Sequence, residues 1–439
     1  MTTLRATTAR CRICNESHPA EVVVRDGKVL GLTHCPKGTQ EVLLSSNPAL
    51  YERITNQSPT QVELPAPPNL TFLLNYLSIT SSCNFRCTVC ATNAGGPGPH
   101  VFLSLDDICQ RARRVREQGA RVLHLFGGEP TLHPELPGII RRLTEMGLSV
   151  GLVSNGLLLG QRPALAAELK ACGLKRVCLQ FDSFAESALN FLGRNHLAAK
   201  QKAIEHVLKA DLHLGLNCTT TRKNLPELQA LLKHGLDLGL QVRNMTFGTA
   251  APVGRFDIAE SDSVDREEIL SALTENRDGA PFSLDDVRPM PAFLPWGLQV
   301  HPDCGVHILL LRSPRGVTPL NRYVHLDHLS ARMGRCRLKR SWWSTRVVPL
   351  GCFLASLRPL RLPGLLRHLF GLWLRPRHYG LLNIGISDYR GAQFLDEQRL
   401  SRCASAFHTS TGPVSGCLHF YLRDDVPGSL AWEASHGSC

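Results

Sequence analysis

An α/β fold, a partial (β/α)6 TIM-type barrel between two smaller regions, follows from three features of this sequence. Between Leu73 and Phe247, six β-rich runs alternate with amphipathic helical stretches. Polar or glycine-rich clusters follow the runs at one end. A proline-rich segment, Glu63 to Asn69, and a stretch rich in Asp, Ser and Pro, Glu260 to Pro295, bracket the region. Repeated β/α units imply a parallel sheet with right-handed crossovers. The expected division is 1–65, an N-terminal Cys-rich metal-binding hairpin unit; 66–255, the barrel; and 256–439, a C-terminal domain.

The composition sets the class. Of 439 residues, 43% are hydrophobic and 20% charged, as in a globular protein with a sizeable core. The 16 cysteines are unusual. With no secretory signal pattern, metal or cluster ligands and buried thiols in a cytoplasmic setting are expected before a disulfide scaffold. A net charge of +12 favours an acidic partner, whether nucleic acid, an anionic membrane surface or a phosphorylated small molecule. No uninterrupted apolar stretch approaches the roughly eighteen residues of a spanning helix.

In chain order, the N-terminal region has Cys11 and Cys14 as a knuckle, a β-rich run from Glu21 to Leu30 broken by Asp26-Gly27, and Cys35. A metal-pinned hairpin holding zinc or iron fits, with reduced buried cysteines as the alternative. The fourth ligand is open between His18, His34 and a distant thiol.

The barrel strands are expected at Leu74–Ile79, Arg121–Phe126, Ser149–Ser154, Arg176–Phe181, His213–Thr219 and Gln241–Phe247. The clearest helix starts at Ser104, with Asp107 as a capping-box-like partner, and runs to Gln118. Chemistry in such folds sits at the C-terminal strand ends. There the sequence places Cys83, Cys87 and Cys90; Gly127-Gly128-Glu129-Pro130; Ser154-Asn155; Gln180 with Asp182; and Asn217 with Thr219 to Thr221. Singly, each has a plain reading as a turn or helix cap. In register at one end of a barrel, they point together to a site. The C-x3-C-x2-C loop can hold three irons of a four-iron cubane and leave the fourth iron open to a small molecule.

C-x3-C-x2-C after the first strand, with Gly-Gly-Glu-Pro after the second, resembles the radical S-adenosylmethionine superfamily. The resemblance implies a [4Fe-4S] cluster on Cys83, Cys87 and Cys90, with S-adenosylmethionine chelating the open iron. It also implies that backbone groups at Gly127, Gly128 and Glu129 receive the amino group of the cofactor, with Pro130 completing that wall of the site. Ser154, Asn155, Gln180 and Asp182 are then candidates for its ribose and carboxylate, and Phe85 lies where the family has an aromatic residue near the adenine. The N-terminal cysteines, His301-Pro302-Asp303-Cys304-Gly305 and the run from Ile384 to Cys417 resemble the tetraether lipid synthase-like branch. That branch has an N-terminal metal site and auxiliary clusters, and joins lipid chains or methylates unreactive carbons. Cys35-Pro36-Lys37-Gly38-Thr39 departs from it in lacking a histidine.

On this reading Cys304, Cys336, Cys403 and Cys417 are expected to ligate an auxiliary [4Fe-4S] cluster, with structural thiols as the alternative. Cys109, Cys172, Cys178 and Cys218 read as small hydrophobes. From Arg358 to Arg377, leucines, Phe370 and Trp373 recur at helical spacing among arginines. A peripheral membrane helix and a core helix both fit. The leading function is radical C–C coupling on a lipid-like substrate, fed by a reductase, flavodoxin or ferredoxin. Its rivals are radical methyl transfer or aminocarboxypropyl transfer to a small molecule and, in another class, a zinc-pinned basic binding protein. Nucleic acid is not expected, because stacking aromatics do not interleave the basic residues.

Overall fold

The computed structural model describes residues 1–56, 74–96, 100–275, 281–289, 301–335 and 348–421. Contacts divide the chain into two compact units, each discontinuous in sequence. One comprises residues 1–67, 228–249 and 265–402, the other 68–227, 250–264 and 403–439.

The second unit carries the β/α repeats. Strands Leu74–Thr80, Val122–Gly127, Ser149–Ser154, Arg176–Gln180 and His213–Thr220 pair in parallel, each beside its sequence neighbour. Alternate residues explain the pairing. Leu77, Ile79, Leu123, Leu125, Val150, Leu152, Val177, Leu179, Leu214 and Leu216 are buried, and the register keeps them on one face. Helices cover that face. Leu105–Glu117 brings Ile108, Ala112 and Val115, and Leu136–Glu145 brings Ile139, Ile140 and Leu143. Each such side chain contributes roughly 1.5–3 kcal/mol on burial. Ser104 starts the first helix as expected, accepting from the Asp107 amide at 3.1 Å.

The opposite face carries Tyr76, His124, Gly151 and Arg176 in one register row, with Phe126 opposite Ser78 and Asn217 opposite Gln180. A sixth parallel strand comes from far along the chain. Ser405–His408 pairs with Leu74–Thr80 and puts Phe407 opposite Tyr76, their rings stacked at 5.1 Å. The expected sixth strand does form, as Val242–Thr249, but it belongs to the first unit and runs parallel to Gly380–Ser387.

In the first unit, Thr2–Arg10, Ser17–Arg25, Lys28–Cys35 and Gly38–Ser45 form an antiparallel sheet, edged by Leu395–Asp396. Asp26 and Gly27 make a two-residue turn between its second and third strands with φ of 51° and 71°, the left-handed pair of a type I′ hairpin. A buried ionic hub ties this sheet to later sequence: Arg5 bridges Asp303 at 2.9 Å and Asp396 at 2.5 Å, and the Tyr51 hydroxyl donates to Asp303 at 2.8 Å. Burial alone would raise the Asp303 carboxyl; His301 and the surrounding arginines instead hold it at about 2. The His301 to Gly305 motif thus has a structural task.

The stretch expected as a linker beyond Glu260 contains the helix Arg266–Thr274, opened by a capping box of Asp265 and Glu268. Its acidic and hydroxyl residues are cap chemistry as well as loop chemistry, which explains the misreading. The connector Glu63 to Asn69 lies outside the described residues. Among the described residues, no helix is long and apolar enough to cross a membrane.

Candidate functional site

The loop from Ser81 to Cys90 leaves the first barrel strand and is gripped from several sides. The Gly128 amide donates to Thr80 O at 2.8 Å, and the Glu129 amide to Ser82 O at 2.7 Å. This contact needs glycine: a Cβ on Gly127 would lie 2.3 Å from Thr80 O, and one on Gly128 2.1 Å from Ser82 O. Gly127 also has φ of 145°. With both amides engaged, the turn has carbonyl oxygens to offer an ammonium group.

Two buried arginines that sequence reasoning missed hold the loop's carbonyls. Arg255 donates to Cys87 O at 2.5 Å and to Ala94 O at 2.8 Å. Its strand partner in the short ladder is Cys90. Arg194 donates to Val89 O at 2.9 Å and to Asp182 Oδ1 at 2.9 Å. A basic residue far from the motif carries no sequence signal of this role, because its partners are main-chain atoms.

The expected site residues form the wall around the loop. Glu129 is fully buried and accepts from Thr131 N and Oγ1, from Ser154 Oγ at 2.9 Å and from Asn155 N at 2.7 Å. Burial pushes its carboxyl up, and these hydrogen bonds oppose the shift. Asn155 donates to Asn84 Oδ1 at 2.7 Å and reaches within 4.0 Å of Cys83 Sγ. Ser154 and Asn155 therefore stitch the second and third strand ends to the cysteine loop. Pro130 opens the short turn beyond Glu129.

On the next strands, Gln180 faces the Arg194 guanidinium at 3.1 Å when its amide is oriented to satisfy both groups. Asp182 Oδ1 accepts from Arg194 and from Thr219 N at 2.9 Å, while Oδ2 lies 3.6 Å from Lys200 Nζ. Lys200 is wholly buried. Among the described residues, Asp182 Oδ2 and Lys200 Nζ have no closer polar partner than each other, a buried ion pair. Burial lowers the Lys200 ammonium's pKa despite Asp182. Phe85 is also buried, stacked on His196 at 4.9 Å and 5.8 Å from Lys200 Nζ.

The three cysteines do not all come within 4.8 Å of one another, the spacing that would gather them on one ion. That suits thiolates on separate irons of a cubane. Burial pushes the Cys83 thiol up to about 12, with Glu129 and the neighbouring thiols adding to the shift. A metal charge is what would stabilise thiolates there. The donor set thus fits an iron-sulfur cluster.

The N-terminal cysteines are arranged differently. Cys11, Cys14 and Cys35 lie mutually within 4.8 Å. His18 Nε2 is 3.1 Å from Cys14 Sγ, whereas His34 turns to Glu21 at 3.1 Å. The geometry therefore favours His18 as the fourth donor. Amides of Ile13 and Lys37 point at Cys11 and Cys35 sulfurs at 3.3 and 3.4 Å. The three sulfurs are a zinc-type donor set, and His18 reaches one of them, Cys14.

The expected auxiliary set is not assembled within either unit. Cys304 lies in the first unit, Cys403 and Cys417 in the second, and Cys336 outside the described residues. Cys403 and Cys417 do meet, and the bond from Cys417 holds the Cys403 thiol down at about 6. Cys109 and Cys218 are buried as expected, while Cys172 and Cys178 are partly exposed.

Comparison with known proteins agrees with this geometry. Residues 77–233 match the Radical SAM superfamily model. The chain is 25% identical over 362 residues to a 7,8-dihydro-6-hydroxymethylpterin dimethyltransferase of Methanocaldococcus jannaschii, covering 74% of this chain and 71% of that protein. An AdoMet-dependent heme synthase of Methanosarcina barkeri is 33% identical over 211 residues, 47% of this chain and 59% of that one. A probable GTP 3',8-cyclase of Sulfolobus acidocaldarius is 38% identical over 151 residues, 34% and 47%. The chain thus spans about half the length of the latter two.

Proposed function

From the premise that this chain is an enzyme of the radical SAM superfamily, carried by residues 77–233, we propose that it forms a bond at an unactivated carbon of a lipid-like substrate. The superfamily uses S-adenosylmethionine and a [4Fe-4S] cluster, and its members require a reductant. When bound, the pair supplies a carbon-centred radical through one-electron cleavage of a sulfonium C–S bond. In this proposal Cys83, Cys87 and Cys90 hold the cluster. Carbonyl oxygens of the Gly127 to Pro130 turn take the cofactor's ammonium. Glu129, Ser154, Asn155, Gln180 and Asp182 fix these walls, and Phe85 packs beside the adenine.

One observation carries the substrate class. The face opposite the helices, next to the Gly127 turn, holds a nest of aromatic rings. Phe407 contacts Tyr76, Phe126 and Phe420 at ring separations of 4.8 to 5.4 Å, and the Tyr76 and Phe126 rings lie 5.9 Å apart. Such a surface excludes water and receives hydrocarbon. The same rings favour a second reading, methyl transfer to a flat heterocycle stacked among them. The pterin dimethyltransferase, alone among the three relatives described, matches across most of this chain.

Anaerobic reconstitution followed by identification of the cofactor fragment tests the proposal. 5′-Deoxyadenosine alone supports coupling, and S-adenosylhomocysteine in addition supports methyl transfer. Methylthioadenosine moves the assignment to aminocarboxypropyl transfer, and no fragment from a reconstituted protein overturns it. The proposal includes a zinc or iron ion on Cys11, Cys14, Cys35 and His18, Cys403 and Cys417 as part of an auxiliary cluster, and a reductase, flavodoxin or ferredoxin as electron donor. It places the enzyme in the cytoplasm, peripheral to the inner face of the membrane.

A further inference from the structure

We propose that the helix Leu362–Leu374 is an interfacial anchor that seats this protein on an anionic phospholipid surface. The inference gives the membrane contact a physical site and is independent of the radical chemistry.

The helix is apolar on two faces. Its inner stripe is Leu365, His368 and Gly371. Leu365 packs with Leu311, Val324, Leu326 and Leu329. His368 meets the Tyr379 ring edge-on at 5.3 Å, and a Cβ on Gly371 would lie 2.3 Å from that ring. These contacts fix the helix against its own unit. A core helix would be polar on its other side. Here the outer stripe is Leu366, Leu369, Phe370 and Trp373, at the i, i+3, i+4, i+7 spacing of one helix face, and these side chains are 47% to 76% exposed. Leu360, two residues before the helix, is 97% exposed.

Charge selects the occupant. Residues 328–387 contain eleven of the chain's 49 Lys and Arg and none of its 37 Asp and Glu, so the rest of the chain is within one charge of neutral. Of these, Arg361, Arg367, Arg375 and Arg377 lie on or beside the helix and are exposed. A second copy of the chain would set these arginines against their equivalents. A layer of anionic headgroups over hydrocarbon would pair with them and cover the leucines and rings at once, with the aromatic side chains at the boundary and the arginine stems snorkelling outward. At about 20 Å the helix is too short to span a bilayer and suits an in-plane position.

The test is co-sedimentation of the full chain with phosphatidylcholine vesicles, with and without phosphatidylglycerol. Binding is expected only with the anionic lipid and should fall as salt rises. Phe370→Asp with Trp373→Asp should abolish it. Exchanging Arg367, Arg375 and Arg377 for Gln should weaken it on the order of a hundredfold, at about 1 kcal/mol per charge. Trp373→Phe, which keeps the apolar surface, should still bind but show less quenching of tryptophan emission by brominated lipid than the wild type. No binding to anionic vesicles, undiminished binding by the aspartate variant, unchanged quenching in Trp373→Phe, or a self-association that the aspartate variant removes would each overturn the proposal. Cofactor cleavage measured without vesicles is a separate readout, so failure here leaves the catalytic reading standing and the reverse.

Discussion

The two cysteine-rich sites use the same ligand chemistry and opposite architecture. At the N-terminus, three sulfurs converge within the reach of one ion, with His18 beside Cys14 alone, on strands and turns of a small antiparallel sheet. At the barrel, Cys83, Cys87 and Cys90 stand farther apart, and the nearby carboxylate of Glu129 is engaged by Thr131, Ser154 and Asn155. The first site gathers its sulfurs around one point. The second is held from outside, through its backbone, by Arg194 and Arg255 and the Gly127-Gly128 turn. Positioning a loop by its carbonyls keeps its side chains free for metal and leaves a coordination position for a small molecule.

The largest effect that tests this contrast is Cys87→Ala. It should lower cofactor cleavage by more than about a thousandfold, roughly 4 kcal/mol in barrier, while zinc per protein at the N-terminal site stays unchanged. Metal analysis beside a cleavage assay reads both. Equal loss of both metals would merge two sites that are here held to be separate.

His18→Ala is the reciprocal experiment. Even outer-sphere partners of metal ligands are worth about 10- to 100-fold in affinity, so zinc affinity should drop by at least that much. His34→Ala should be near neutral, and a chelator competition that ranks the two the other way would assign the fourth ligand to His34.

Arg255→Ala should act on the barrel site alone. It leaves the buried Cys87 and Ala94 carbonyls without their donor, at about 1–3 kcal/mol each. Iron retention during gel filtration should fall several-fold without loss of zinc. Arg255→Lys should recover only part, because an ammonium lacks the fork that reaches both oxygens.

The smallest effect concerns acid. Burial holds His124, His301 and His408 down at about 4, in each case below the 6.5 of an unfolded chain. The folded protein keeps these rings neutral while the unfolded chain takes up protons. Stability is therefore full above pH 6.5 and declines as pH falls towards 4. Thermal melts between pH 7 and 4.5 should show this slope, and replacing His408 with Gln should flatten it. A melting point independent of pH in that range would contradict the burial of these rings.

The barrel's strands were legible within about two residues because apolar alternation and glycine turns are local signals. The same locality limited the reading elsewhere. Ser405–His408 is four residues long and carries no periodicity of its own. It becomes a barrel strand only because Leu74–Thr80 offers it an edge. The segment after Glu260 reads as linker because Asp and Ser serve both loops and helix caps.

The sequence by itself determined the β/α class, the positions of the clustered cysteines and the Gly-Gly-Glu-Pro turn, since each depends on spacing along a few residues. Tertiary structure alone decided that His18 rather than His34 meets Cys14 and that Arg194 and Arg255 grip the cysteine loop. It also decided that Asp182 lies between Arg194 and Lys200, and that one leucine-rich stripe faces outward. Those outcomes depend on which distant surfaces meet. Hydrogen bonds to main-chain atoms and burial on one helix face leave no residue-type pattern from which spacing could have read them.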